Sequence, residues 1–438
     1  MPDQTIRIGL LGAGVVGEGI VRLLRDNATS IERRLGAPLE VARIVAKDPS
    51  KKRNIDPALL SFDARDVLDD ESVDVVVEVI GGLNPAHEYV RTAIERKKQV
   101  VTANKALLAE HGHDLIGLAE AKGVDLYFEA AVAGGIPIIR LLREALSADR
   151  VTSLYGIVNG TSNYILSRMA EDKLGFAEAL KEAQAAGYAE ADPTLDVTGG
   201  DAAHKLTILA ALAFGARVDP AQLPTDGIEK ISAVDIDYVD RFGYVIKPLA
   251  VGRLLDSGAL DLRVHPALVP KGTVLASIGG ALNVVLVHGA MVGPCMTSGL
   301  GAGAAPTAMS VVSDIVDVAR NLLANARGRV PSRAFLGENI DVPKLARPGN
   351  DRARFYLRFL VRDRPGILAR IAGVLGAFDV SIEQMVQDGL GVGDAPVAVV
   401  MLTHDTLERN LKQALREIRS LHDVTEPACA LRIESGHT

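Results

Sequence analysis

The chain has 438 residues, 48% of them hydrophobic and 24% charged, and its formal net charge is −7. This length predicts two or three domains, and the acidic balance without a long basic run excludes nucleic acid as the main partner. No apolar run reaches the about 18 residues of a membrane span, and the distant cysteines Cys295 and Cys429 exclude a disulfide scaffold or a zinc cluster and favour a cytoplasmic protein.

The first predicted domain, residues 1–133, opens with a strand, a glycine turn and a helix. An apolar run at 5–11 leads into Gly12-Ala13-Gly14-Val15-Val16-Gly17, and a helical stretch follows to about residue 34. The spacing is the G-x-G-x-x-G of dinucleotide-binding folds: a glycine for the tight turn, one for the approach of the pyrophosphate and one for helix–strand packing. We predict that all six residues contact a dinucleotide; the alternative is a purely structural turn.

A parallel sheet is predicted for this domain. Further apolar runs at 39–46, 73–80, 99–103 and 124–129 alternate with helical stretches. Strands that alternate with helices indicate a doubly wound α/β fold of the Rossmann type. A glycine-rich loop at 299–307 opens a long helix, and the segment at about 304–340 is expected to complete the domain.

The loop after the second strand bears on the choice of cofactor. An acid there binds the ribose 2′-hydroxyl of NAD, whereas a cation accommodates the 2′-phosphate of NADP. Lys47 and Asp48 supply one residue of each type, and residues 51–53 add cations. The excess of cations favours NADP, with Lys47 as a cofactor-binding candidate, and leaves NAD as the alternative.

Further candidates follow other strand ends, where ligands bind in parallel sheets. Lys105 lies in a loop at 102–105, and we predict for it a role at the cofactor or the substrate, against the alternative of a surface lysine. Glu129 precedes a Gly-Gly-Ile-Pro turn. A carboxylate with turned-in carbonyls can bind a hard cation, but these residues alone favour a plain connection between domains.

The second predicted domain, residues 134–303, mixes helices and strands. Helices are expected at about 161–171, 175–186 and 200–215, and strands at 151–158, 244–253, 260–269 and 283–288. This pattern is typical of an α+β domain with a mixed sheet, one face of which is expected to support a dimer.

An acidic loop and the helix after it carry the main candidates for chemistry. Glu190, Asp192 and Asp196 lie in the loop and suit a cationic substrate group; the alternative is a solvated loop. Asp201 and Lys205 are one turn apart on an almost uniformly apolar helix, which indicates a buried catalytic pair rather than an exposed ion pair. A lysine ammonium can donate the proton that carbonyl reduction requires. We expect Asp201 to keep Lys205 cationic, so that oxidation improves as the pH rises.

A linker is predicted at 341–352 and a third module at 353–434. The linker combines two prolines with mixed charge, and strand, helix, two strands, helix and strand follow it. This β-α-β-β-α-β order is that of the ferredoxin-like fold.

Several motifs together carry a resemblance to a known family. They are GAGVVG at 12–17, TANK at 102–105, EAAVAGGIP at 129–137, NGTSNYIL at 159–166, YAEADPTLDVTGGDAAHKL at 188–206 and GAGAAPTAMSVVSDIVD at 301–317. In this order and spacing, residues 1 to about 340 resemble homoserine dehydrogenase. Residues 353–434 resemble an ACT domain, on RDRPGILARIAGVLGAFDVSIEQM at 362–385.

The resemblance implies a reaction and residue roles. The reaction is the reversible NAD(P)H-dependent reduction of L-aspartate 4-semialdehyde to L-homoserine, in threonine, methionine and isoleucine biosynthesis. By motif match, Lys205 is the proton donor and Asp201 orients it, while Glu190 and Asp196 bind the substrate. Lys105 and the glycine turn belong to the cofactor site.

The resemblance also implies a sodium ion and an oligomer. The ion would be held by Glu129 and the backbone carbonyls of Val132, Gly134 and Ile136, and the protein would be a homodimer or homotetramer. The chain departs from many relatives at Leu300, where a proline is common; this loosens the turn but keeps its glycines.

The ACT resemblance implies an amino-acid effector. We expect threonine feedback through the turn at 364–368 and the strand from Ser381, with oligomerisation alone as the alternative role of the module. Two other functions compete: an amino-acid sensor with a vestigial nucleotide fold, which the presence of Asp201 and Lys205 disfavours, and another dehydrogenase of a small amino or keto acid.

Overall fold

The computed structural model describes residues 5–347, 349–388 and 396–434. A six-stranded parallel sheet and a ten-stranded mixed sheet organise these residues. Within the same ranges, no helix is both long and apolar enough to cross a bilayer.

The first sheet is parallel and has the strand order β3-β2-β1-β4-β5-β6. Its strands are β1 (Ile6–Leu11), β2 (Leu39–Val45), β3 (Leu60–Ser61), β4 (Val75–Glu78), β5 (Gln99–Thr102) and β6 (Leu126–Tyr127). The predicted doubly wound Rossmann-type sheet is confirmed. Its central strands β1 and β4 are mostly apolar because helices cover both faces. The strand order reverses between β1 and β4, which is where such sheets bind ligands.

Five helices follow the strands of this sheet. They are α1 (Val15–Asp26), α2 (Ala28–Leu35), α3 (Arg65–Leu68), α4 (Ala86–Glu95) and α5 (Lys105–Lys122). The helix expected to run to about residue 34 is interrupted at Asn27, which leaves helical geometry with φ −111° and ψ 12°. Asparagine favours such breaks because its side chain competes for backbone hydrogen bonds.

The middle of the chain forms the first half of the mixed sheet and its helices. The strands are β7 (Val151–Ile157), β8 (Tyr244–Leu254), β9 (Leu260–Pro270), β10 (Leu282–Gly289) and β11 (Gly293–Leu300). The helices are α6 (Ile138–Arg140), α7 (Gly160–Asp172), α8 (Phe176–Ala185), α9 (Thr194–Val197), α10 (Gly200–Phe214), α11 (Ala233–Arg241) and α12 (Val274–Ser277). Strand β11, which the sequence does not predict, contains Leu300, so this residue ends a strand and lies before the turn.

A long helix, α13 (Ala304–Leu323), returns to the first sheet. Its buried residues Ala308, Val311 and Ile315 share one apolar core with Ile8 of β1 and Ile20 of α1. The loop before α13 therefore lies close to the start of α1 and to the glycine turn.

The C-terminal module has the predicted ferredoxin-like order with one short extra strand. Its elements are β12 (Arg352–Arg362), α14 (Ile367–Ala377), β13 (Ile382–Gln387), β14 (Pro396–Thr403), β15 (Thr406–Leu407), α15 (Glu408–Arg419) and β16 (Cys429–Ile433). Strand β16 pairs in parallel with β9, through Arg432 opposite Ala267 and Ile433 opposite Leu268. The mixed sheet thus runs unbroken from the middle of the chain into the module.

Further contacts attach the C-terminal module to the middle of the chain. The segment expected to be a linker is bound along the middle of the chain, since the Leu260 amide donates to the Lys344 carbonyl (2.9 Å) and the Ala346 amide to the Leu260 carbonyl (2.8 Å). Beside it, Asp235 of α11 accepts from Arg358 Nε (2.7 Å) and Tyr356 Oη (2.9 Å) of β12. We call Asp235, Tyr356 and Arg358 the junction cluster; all three are buried.

Candidate active site

The glycine turn has the shape that a pyrophosphate requires. Gly12 has φ +118°, and a Cβ atom there would lie 2.8 Å from the Val79 carbonyl, so only glycine fits. A Cβ on Gly17 would collide with the Gly12 carbonyl, whereas one on Gly14 would meet no described atom within 4 Å. Helix α1 begins at Val15 with no side-chain cap among the described residues, so its amides are available to phosphates.

The remaining residues of the turn differ in exposure. Ala13 is buried, Val16 packs against the core and Val15 is exposed. One side of the turn, with Ala13 and Val16, is packed against the protein. The other side, with Val15, is open, and a dinucleotide fits there.

The loop after β2 contacts this turn through a residue that sequence reasoning did not single out. Arg53 donates from Nε to the Ala13 carbonyl (3.2 Å) and from Nη1 to the Asp48 carbonyl (2.7 Å). Lys47 and Asp48 are exposed, and the Asp48 carboxylate accepts from the Ser50 amide and hydroxyl. The run of cations at 51–53 was the available signal, but it did not show which cation turns toward the cofactor.

A buried glutamate fixes the loops after β4 and β5. Glu78 accepts from Thr102 Oγ1 (2.6 Å) and the Ile80 amide (2.8 Å). Asn104 donates to the Gly82 carbonyl (2.6 Å) and caps α5 by accepting from the Leu107 amide (3.1 Å). This network places Lys105 as the first residue of α5. Glu78 gave no sequence signal because it ends an apolar strand.

Two lysines converge on one carboxylate at the meeting of the two sheets. Lys205 Nζ donates to Asp201 Oδ2 (2.7 Å) and to the Val158 carbonyl (2.6 Å). Lys105 forms an ion pair with the other oxygen of Asp201. The side chain of Asp201 is 2% exposed, that of Lys205 10% and that of Lys105 36%. We call these three residues the lysine–carboxylate cluster.

Asn159 joins this cluster to the acidic loop. Its Nδ2 donates to Asp201 Oδ2 (2.8 Å) and to Asp196 Oδ1 (2.7 Å), and its Oδ1 accepts from the Ser162 amide (2.8 Å). The sequence predicts only the capping part of this arrangement, because the two carboxylates lie far along the chain. The structure therefore adds Asn159 to the candidate residues.

The cluster shifts the pKa values of its members. Burial alone would raise the pKa of Asp201, but the ammonium groups of Lys205 and Lys105 outweigh it and hold that pKa well below its usual range. Burial lowers the pKa of Lys205; Asp201 opposes this and Lys105 adds to it, and the net shift is downward. The expectation that Asp201 alone keeps Lys205 cationic is thus incomplete. Burial and the nearby Asp201 raise the pKa of Asp196.

The other two acids of the loop lie outside the cluster. Glu190 is exposed, and within the described residues no hydrogen bond or ion pair joins its carboxylate to Asp201, Asp196 or either lysine. Asp192 accepts from the Thr194 amide (3.1 Å) and hydroxyl (2.6 Å), so it caps the turn into α9. This local role accounts for an acid that the sequence left without assignment.

The Glu129 turn is enclosed and crowded with charge. The Glu129 carboxylate accepts from the Ile139 (2.8 Å) and Arg140 (2.9 Å) amides at the start of α6, and its own amide donates to Asp314 Oδ2 (2.7 Å). Burial and the Glu129 charge raise the pKa of Asp314 to about 8. Val132, Gly134 and Ile136 are buried, and Gly134 follows a residue that also has positive φ.

Comparisons with known proteins agree with this architecture. Residues 12–129 match the family model "Homoserine dehydrogenase, NAD binding domain", residues 137–316 match "Homoserine dehydrogenase" and residues 355–423 match "ACT domain". A homoserine dehydrogenase of Neisseria gonorrhoeae is 46% identical over 99% of this chain and 100% of its own length. The chain belongs to the homoserine dehydrogenase family.

Solved structures of the family match this fold. The crystal structure of a homoserine dehydrogenase from Thiobacillus denitrificans has a TM-score of 0.92 and 45% identity, and the match covers 98% of both chains. A hyperthermophilic archaeal homoserine dehydrogenase in complex with NADPH has a TM-score of 0.61 and 25% identity, over 72% of this chain and 98% of its own. The predicted family and ACT domain are confirmed, and the protein is an oxidoreductase of this family.

Proposed function

We propose that the chain catalyses the reversible NAD(P)H-dependent reduction of L-aspartate 4-semialdehyde to L-homoserine, a step of threonine, methionine and isoleucine biosynthesis. The lysine–carboxylate cluster is the observation that carries this proposal. In this cluster, Lys205 has an ammonium that can donate a proton. Through Asp201 and Lys105 the cluster is connected to the parallel sheet, at the end where the glycine turn lies. A carbonyl reductase needs this pairing of proton donor and hydride donor.

Lys205 is the proposed proton donor. An ammonium has three N–H groups, and two of those of Lys205 are bound by Asp201 and the Val158 carbonyl. The third is left for the substrate oxygen. When bound, NAD(P)H supplies the hydride to the carbonyl carbon, and Asp201 stabilises Lys205 in the orientation that delivers the proton. In the oxidation of homoserine, neutral Lys205 takes the proton from the hydroxyl.

Asp196 and Glu190 are the proposed substrate acids. Asp196 is held beside Asp201 by the shared Asn159 amide, so it can accept from the substrate ammonium close to the reacting carbon. Glu190 lies on the exposed loop before α9, and in this proposal the loop brings it to the ammonium when substrate binds.

The assay for this reaction uses aspartate semialdehyde with NADPH and homoserine with NADP. We expect turnover in both directions by the unmodified chain, and a kcat lower by about 10²–10⁴-fold in Lys205→Met. Reduction of a different small keto acid, together with no turnover of the semialdehyde, would replace this proposal with another dehydrogenase activity.

NADP is the proposed preferred cofactor, with NAD as the weaker one. Arg53 lies on the glycine turn and Lys47 is exposed at the end of β2, so two cations are available to a 2′-phosphate. The archaeal relative in complex with NADPH supports the same choice. The ratio of kcat/KM for NADPH and NADH tests it, and Arg53→Gln should lower that ratio. A strong preference for NADH would overturn it.

A sodium ion is proposed at the Glu129 turn. Each Glu129 oxygen accepts one amide and keeps a second lone pair, and buried backbone carbonyls of Val132, Gly134 and Ile136 supply the oxygen ligands that hard cations take. When bound, the ion adds positive charge to the turn and stabilises it. The thermal midpoint in sodium chloride, compared with choline chloride at equal ionic strength, tests this. The sodium effect should disappear in Glu129→Gln.

Threonine feedback is proposed for the ACT module, and a homo-oligomer is proposed through the sheet of the second domain. Within the segment 364–368, Gly366 is the residue directly before α14, and strand β13 begins one residue after Ser381. Because β16 belongs to the same sheet as β9, removing the module would expose β9, so the test needs point substitutions in the full chain. Arg364→Ala and Ser381→Ala should weaken threonine inhibition without loss of activity, and light scattering should show a dimer or tetramer. Unchanged inhibition would place the effector elsewhere.

A further inference from the structure

Asn283 lies between two loops of the candidate site. It is the second residue of β10 and only 1% exposed. The two loops are 159–160 at the start of α7 and 301–303 before α13, and the Glu129 turn contacts the second of them through Gly134 and Gly135. No role for it follows from the sequence, where it is one polar residue in an apolar strand.

The amide of Asn283 fills the space between two glycines. A Cβ atom on Gly301 would collide with Asn283 Nδ2, and it would lie 2.5 Å from Oδ1. A Cβ on Gly160 would lie 3.3 Å from Asn283 Oδ1 and 2.8 Å from the Ala281 carbonyl. Gly301 cannot carry a side chain while Asn283 keeps its place, whereas at Gly160 the Ala281 carbonyl excludes a side chain and Asn283 adds a close contact.

One of these loops is connected to the residues proposed for proton transfer, and the other to the elements that form the cofactor turn. Gly160 follows Asn159, which binds Asp201 and Asp196. On the other side, the loop at 301–303 opens α13, which packs on α1, and the Gly135 amide donates to the Leu300 carbonyl (3.1 Å). The Asn283 amide therefore stands between the proton-donating cluster and the elements that form the cofactor turn.

The segment before Asn283 is clamped by buried polar groups. Asn163 Nδ2 contacts the Ile278 (3.3 Å), Gly280 (2.9 Å) and Leu282 (3.2 Å) carbonyls. Lys247 Nζ donates to the Ile278 carbonyl (2.6 Å), and both clamping side chains are buried. These hydrogen bonds fix the backbone just before Asn283, so its amide can act as a rigid spacer between the loops at 159–160 and 301–303.

The side-chain amide of Asn283 does not make all the hydrogen bonds that it could make. Its Oδ1 is buried and has no hydrogen-bond partner among the described residues. An unpaired buried oxygen costs stability, and an apolar residue at this position would avoid that cost. The position of the amide between the two loops therefore accounts for Asn283 better than a contribution to folding does.

We propose that Asn283 is a positioning residue for hydride and proton transfer: it sets the separation between Asn159, on the lysine–carboxylate cluster, and the 301–303 loop, on the cofactor side. The inference rests on the proposed reaction. Small displacements of reacting groups lower rates strongly, by up to about a hundredfold for 1 Å. The alternative is that Asn283 is an ordinary buried residue of β10 that only stabilises the fold.

A double-mutant cycle between Asn283→Ala and Gly301→Ala tests the proposal on the full chain. Each single change should lower kcat by about tenfold or more, because one removes the spacer and the other displaces it. In the Asn283→Ala background, the new methyl group at 301 has room, so Gly301→Ala should have no further effect on kcat. Thermal unfolding of all four proteins is measured in parallel, and KM for NADPH is obtained separately from kcat.

Val285→Ala is the matched control for stability. Val285 is a fully buried residue of the same strand and belongs to the apolar core. It should lower the unfolding midpoint and leave kcat unchanged. Single effects that simply multiply in kcat, or a kcat that falls with the midpoint in Val285→Ala as it does in Asn283→Ala, would overturn the positioning role. An unmodified chain without semialdehyde turnover would contradict the proposed function itself.

Discussion

Asp201 and Asp235 are both almost completely buried and both face cations, yet they are built differently. Asp235 accepts two bonds from one guanidinium and a third from Tyr356, all within the junction cluster. Asp201 faces two ammonium groups from opposite sides, and one of them, Lys105, is partly open to solvent. A guanidinium holds its geometry and its charge, whereas an ammonium can lose a proton when buried.

The pKa shifts follow the same division. Burial lowers the pKa of the Arg358 guanidinium, but Asp235 outweighs it and the net shift is upward, so this residue stays charged. The pKa of Lys205 moves the other way, because burial and Lys105 together exceed the effect of Asp201. The Asp235–Arg358 pair is arranged to keep its charges, and the Asp201–Lys205 pair is arranged to exchange a proton. Four predictions test this difference.

The largest expected effect is that of Lys205→Met on the rate. Loss of general acid catalysis typically costs about 10²–10⁴-fold, and kcat should fall by that amount in both directions. Lys105 still balances the Asp201 charge, so the unfolding midpoint should change little. Steady-state kinetics and thermal unfolding provide the two readings, and a variant within tenfold of the original rate would remove Lys205 from the chemistry.

Arg358→Met should have the opposite signature. It leaves the buried Asp235 carboxylate without its cation, and breaking such a pair costs about 3–5 kcal/mol of folding free energy. The kcat of the folded fraction should stay the same, since the junction cluster is apart from the site. Urea unfolding measures the loss. The double variant Asp235→Asn/Arg358→Met should be more stable than Arg358→Met alone, and equal stability of the two would contradict this account.

The pH dependence of the rate sharpens the comparison. Because the pKa of Lys205 is lowered, its neutral form appears at lower pH than that of a free lysine, which titrates near about 10.4. Homoserine oxidation should rise with pH and level off below that value, and semialdehyde reduction should fall over the same range. Lys105→Met removes a neighbouring cation that lowers the pKa of Lys205, so the pH dependence of both oxidation and reduction should move to higher pH. An oxidation limb centred above 10.4 in the unmodified chain would refute the shift.

The smallest effect is expected at an exposed pair, Arg91–Glu95 on α4. The two side chains are 58% and 48% exposed, and exposed helix pairs contribute only about 0.3–0.5 kcal/mol. Arg91→Gln should therefore leave both kcat and the free energy of unfolding nearly unchanged. A loss comparable to that of Arg358→Met would show that burial is not what separates these pairs.

The sequence predicts well what depends on neighbouring residues. Gly12 and Gly17 can be recognised in the sequence because a side chain at either position would collide with nearby backbone, and Gly14 because the pyrophosphate needs the open space beside it. The apolar runs predict the parallel sheet because both of its faces are covered. Asp201 and Lys205 are also readable, since one helical turn brings them together.

What the sequence does not predict depends on distant packing. Glu129 and Asp314 are 185 residues apart, and nothing local relates them. Lys105 was expected at the cofactor, but its partner Asp201 is brought to it only when α5 and α10 pack together. The sequence around Asn159 predicts that it caps a helix. It does not predict the hydrogen bonds to Asp196 and Asp201, because tertiary packing brings these residues to Asn159.

The pairing of β16 with β9 has a consequence for synthesis of the chain. At about 5–20 residues per second, β9 leaves the ribosome seconds before the strand that will cover it. During that time its outer edge resembles the open edges that promote aggregation. Asp261 and Arg263 are charged residues of this strand, and charged side chains on an edge strand discourage pairing with another nascent chain. In the folded chain Arg263 pairs with Asp351, just before β12, and His265 lies 3.6 Å from Glu434, just after β16, so polar side chains of β9 also contact the C-terminal module.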